Sequence, residues 1–142
     1  MFSKTNLIST LVTALWAYFG GYLVWVIIAT PLMEGHEGTA TGVWKEVPDH
    51  PILIIGCIIL AFAFSTIYSK LSGGGHSLSH GAQFGLWVAI LIGFGEGMIN
   101  LGVSNISDLT GALINGGLAI VFYAVMGVLA SLVYGKMSSE GE

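Results

Sequence analysis

Four stretches of this chain are each long and apolar enough to cross a lipid bilayer, and almost no charge interrupts them. A hydrocarbon core about 30 Å thick is crossed by about 20 helical residues. The runs 7–32, 51–69, 81–103 and 109–134 meet that requirement. In lipid a backbone must bond to itself, so each run is read as a helix. The expectation is an all-α polytopic membrane protein. Residues 1–142 form one domain, a four-transmembrane-helix antiparallel bundle.

Composition closes off the alternatives. Of 142 residues 54% are hydrophobic and 8% charged, whereas soluble domains carry roughly a quarter charged residues. There is no arginine, and the lysines are Lys4, Lys45, Lys70 and Lys136. No basic surface for nucleic acid can be built from that set. Cys57 is the single cysteine, so no intramolecular disulfide can form. The N-terminal apolar run is too long for the core of a signal peptide and reads as a retained helix.

The punctuation between runs agrees. Pro31 is expected to close the first helix, while Pro48 and Pro51 bracket the start of the second. Gly73, Gly74 and Gly75 read as a hinge before the third helix. Asn105–Asp108 reads as a tight turn before the fourth, with Ser107 or Asp108 as its N-cap. Lys4, Lys70 and Lys136 fall on one side. Lys45 lies on the other with Glu34, Glu37, Glu46, Asp49 and Asp108. The positive-inside rule then puts both termini in the cytoplasm. Trp25 and Trp44 are expected in the outer aromatic belt.

A steric pattern runs through the helices. Gly81, Gly85, Ala89, Gly93 and Gly97 recur every four residues in the third. Gly127 and Ser131 belong to a similar row in the fourth, and Ser9, Thr13, Cys57, Ala61 and Ser65 to shorter rows in the first two. Small residues at this spacing let helix backbones approach closely, and packing drives helix association in lipid. These rows fit contact within one bundle or against another chain, either other transmembrane subunits or a homo-oligomer.

Glu96 is the one charged residue well inside an apolar run. An ionisable group there is expensive and marks a functional site by default. Asn100 lies one turn on, and Asn115 lies at similar depth across the 104–108 turn. A polar cluster of Glu96, Asn100 and Asn115 on the glycine-lined seam is therefore expected. It would be either an interhelical fastening or the site of a small proton- or cation-coupled transporter or channel.

His76 and His80 flank the start of the third helix, where they could share a metal or contact haem or a pigment. No acid or cysteine stands beside them to complete a zinc site. The sequence itself requires no cofactor beyond lipid contacts. The acidic loop with His36, Glu37, Glu46, Asp49 and His50 matches no zinc or calcium pattern and reads as a solvated loop.

Some of these segments resemble a known family. Lys45-Glu46-Val47-Pro48-Asp49 leads into the second helix, and Gly81 and Gly85 open the third. Gly102-Val103-Ser104-Asn105-Ile106-Ser107-Asp108 then precedes a small-residue fourth helix ending in Met126-Gly127 and Gly135. On these segments the chain resembles the uncharacterised four-helix bacterial membrane proteins of the DUF1761-like family, over about residues 7–136. The resemblance implies four helices in a bacterial cytoplasmic membrane. It supplies no activity and no catalytic residues, and Glu96 belongs to none of its motifs. With no catalytic set assembled, the sequence points to a non-enzymatic accessory or structural subunit.

Overall fold

The computed structural model describes residues 2–139. It consists of four long helices: α1 (Lys4–Met33), α2 (His50–Leu71), α3 (Leu78–Val103) and α4 (Leu109–Ser139). All four are long and apolar enough to cross a membrane. No strand occurs among the described residues beyond one isolated bridge, Glu37 with Ser107.

A polar side chain starts each helix by satisfying a backbone N–H that the helix itself leaves open. Ser3 Oγ accepts from Asn6 N at 3.1 Å, Asp49 Oδ1 from Ile52 N at 3.3 Å, Ser77 Oγ from His80 N at 3.1 Å and Asp108 Oδ1 from Gly111 N at 2.7 Å. The boundaries differ from the expected ones. α1 begins at Lys4 rather than residue 7, and α3 begins at Leu78 rather than residue 81. α4 runs on to Ser139, past residue 134.

Pro31 does not close α1, which continues to Met33. Gly35, at φ 81°, makes the turn that follows. The ring supplies no N–H for a bond to the preceding turn, yet the helix runs two residues beyond it. After α2, Gly73 (φ 56°) and Gly74 (φ 85°) take the left-handed backbone that reverses the chain.

α4 is the hub, making its broadest interface with α3 and a second with α1, while α2 lies mainly against α1. The aromatic core follows this arrangement. Phe122 of α4 packs against Trp16 and Trp25 of α1, and Phe64 of α2 touches Phe84 and Tyr123.

The α3–α4 contact is the expected glycine seam. A Cβ added at Gly81 would overlap the Gly127 carbonyl, and one at Gly85 the Tyr123 carbonyl. One at Gly93 would sit 2.5 Å from Ala119 Cβ. Ala89 is fully buried in the same row, and Ser131 is buried opposite Gly81.

Gly97 leaves the row, since a Cβ there would meet no atom within 4 Å. The helix changes to π winding over Ile90–Glu96. A four-residue spacing holds one face only while the winding stays constant.

Candidate functional site

The same change of winding decides where Glu96 points. It ends the π segment and is exposed, as is Asn100 one turn on. Neither side chain has a hydrogen bond or ion pair among the described residues. Asn115 faces elsewhere: its Oδ1 accepts from Trp25 Nε1 at 2.8 Å, joining α4 to α1. The expected Glu96–Asn100–Asn115 cluster therefore does not form. Glu96 and Asn100 share an outward face of α3, and Asn115 is half-buried between α4 and α1. Trp25 is correspondingly turned into the bundle, whereas Trp44 is 84% exposed in the loop before α2.

That outward face is apolar around the two polar groups. Trp87, Leu91 and Ile99 are each about two-thirds exposed or more along it. Gly95 and Gly102 are also exposed there. A Cβ at Gly102 would meet nothing within 4 Å, and one at Gly95 only the carbonyl of Ile90 at 3.4 Å.

A second polar region, at the end of the bundle where α1 starts and α4 ends, was not expected. Asn6 Nδ2 donates to Thr66 Oγ1 at 3.0 Å, and Ser9 Oγ donates to Ser65 Oγ at 2.9 Å. Thr13 Oγ1 lies 3.2 Å from Ser65 Oγ. Tyr134 Oη donates to Asn6 Oδ1 at 2.7 Å and lies 3.3 Å from the Ser65 carbonyl. One network thus joins α1, α2 and α4. Ser9, Thr13 and Ser65 are completely buried. No buried side-chain nitrogen or oxygen among the described residues lacks a hydrogen bond.

The rows Ser9/Thr13 and Cys57/Ala61/Ser65 had signalled this contact by size alone. Their hydroxyls carried the further information. Within a helix a hydroxyl commonly bonds back to a carbonyl one turn earlier, as Thr13 does to Ser9 O at 2.7 Å. That habit masks its capacity to bond across helices.

His76 closes the network from the loop between α2 and α3. Its ring stacks on Tyr134 at 5.4 Å, and its Nδ1 lies 3.4 Å from Tyr68 Oη. Partial burial holds the imidazole below its ordinary pKa, and the neighbouring His80 pushes it the same way. His76 lies outside α3 and His80 inside it, so the two do not form a helical i, i+4 pair. Among the described residues no three of His, Cys, Asp or Glu come together as metal ligands would.

At the opposite end the loop after α1 is strapped to the turn between α3 and α4. Gly38 N donates to Ile106 O at 2.9 Å, Ala40 N to Asn105 O at 3.0 Å and Asp108 N to His36 O at 3.0 Å. His36 Nδ1 and Asp108 Oδ2 are 2.9 Å apart. The Gly111 backbone N–H, followed by the His36 side chain, holds the Asp108 carboxyl below the usual carboxylate range. The loop is thus anchored at its start rather than wholly solvated.

No family model, curated protein or solved structure matches the chain.

Proposed function

We propose that this is a non-enzymatic subunit of the bacterial cytoplasmic membrane, with both termini cytoplasmic, that packs against other membrane proteins through α3. One observation carries this reading. The polar groups of the core are paired within the chain, yet α3 holds a carboxylate and an amide on an uncovered apolar face. Glu96 lies about 10 Å from the end of α3 at Val103, and a carboxylate within an apolar span costs up to the about 2.5–3.5 kcal/mol found at a helix centre on insertion scales. A chain that satisfies its other buried polar atoms would be stabilised by removing this one, unless a neighbour covers it. The exposed glycines beside it favour close approach of another helix.

Purification of the full chain from its native membrane in mild detergent tests the reading. A second transmembrane protein is expected at fixed stoichiometry, identified by mass spectrometry. The Leu91→Gln and Ile99→Gln variants should lose it while the bundle stays folded. A chain that purifies alone, in native membranes and at native abundance, would exclude the packing role.

A further inference from the structure

We infer that the helix covering α3 comes from a different chain and carries a lysine or arginine at the depth of Glu96. This rests on the packing role proposed above and names the chemistry of its partner.

Glu96 and Asn100 are four residues apart, about 6 Å along one side of a helix, and both are exposed. An ionised carboxylate only accepts hydrogen bonds, and the amide oxygen of Asn100 adds a second acceptor one turn away. Together they match an ammonium or a guanidinium, which have several donors and no acceptor. Gly95 and Gly97 flank the carboxylate without a side chain, so a long basic side chain can lie against the helix backbone.

The chain does not supply that cation. It has no arginine. Lys4 and Lys136 lie in the first turn of α1 and the last turns of α4, Lys70 at the end of α2, and Lys45 in the loop before α2. A second copy fits no better. A two-fold axis along the membrane normal would set one Glu96 against the other, with no basic side chain between them.

The test places a photoreactive amino acid at Ile99, which is 67% exposed beside both polar groups. The full chain is irradiated in native membranes, and the adduct peptide is sequenced. The expected adduct is a transmembrane peptide of another protein with lysine or arginine within one turn of the linkage. Glu96→Gln should lower its yield about tenfold, equivalent to about 1.4 kcal/mol. Leu132→Gln, on an exposed position of α4, should leave it unchanged. Glu96→Lys combined with the partner's basic residue changed to Glu should restore it. A heterologous adduct lacking a basic residue, or one indifferent to Glu96→Gln, would overturn the charge pairing and leave the packing role standing. Adducts to lipid alone, or to a second copy of this chain, would overturn both.

Discussion

Two parts of the molecule contain the same kind of residue and treat it in opposite ways. At the end where α1 starts and α4 ends, Asn6, Ser9, Thr13, Ser65 and Thr66 are buried and bonded to one another and to Tyr134. On α3, Glu96 and Asn100 face outward with no hydrogen-bonding partner among the described residues. The first arrangement specifies how α1, α2 and α4 align, because each side chain bonds only at one register. The second leaves α3 polar toward whatever lies outside. Polar residues in apolar helices thus have two structural uses, and burial tells them apart where sequence depth does not.

The sharpest way to break the contrast is at the seam that fixes α3 to α4. Gly85→Leu sets a side chain against the Tyr123 carbonyl, and such overpacking costs about 1–3 kcal/mol or more. The expected outcome is loss of the compact bundle, read by thermal unfolding in detergent. Gly97→Ala, with open space at its Cβ, should instead be neutral or stabilising by up to about 1 kcal/mol.

Next in size is the buried network. Tyr134→Phe deletes a donor to Asn6 Oδ1, and an interhelical hydrogen bond in a membrane bundle averages about 0.6 kcal/mol, reaching about 1.7. A fall in unfolding free energy within that range is expected. An unchanged value would mean that the network does not hold α4 to α1.

Smaller still is the effect of Glu96→Gln on the isolated chain, within about 0.5 kcal/mol as for surface positions generally. A large loss would show that the carboxylate serves the bundle itself, and the contrast between the two regions would fail.

The least effect concerns Asp108. Its folded-state pKa lies below its unfolded one. Its contribution is therefore complete above the unfolded pKa and fades as pH falls through the folded one. An acid titration of stability should flatten at its low-pH end in Asp108→Asn relative to the parent chain.

Much of the fold was legible in the chain because long apolar runs have few ways to satisfy their own backbone. Four apolar runs of sufficient length could only be helices, and Gly81, Gly85 and Gly93 announced the α3–α4 seam through their spacing. The limit came where a regular spacing met an irregular winding. Gly97 follows the four-residue row on paper with Glu96 beside it, but the π segment Ile90–Glu96 takes Gly97 off it. Asn115 shared a depth with Asn100 without sharing a face, and it bonds to Trp25, a residue read as part of a belt. Which face a polar residue occupies depends on winding and on distant partners, and neither is written locally in the sequence.

The strap between the loop after α1 and the turn before α4 bears on how the chain is assembled. It joins a segment made early in synthesis to one that follows three completed helices. Its bonds cannot close until the second helical hairpin has been threaded beside the first. Gly38 leaves no room for a side chain against the Asn105 carbonyl, so the latch forms only with this residue in place. The strap therefore acts as a clasp between the first and second helical hairpins, closing only when the two lie side by side.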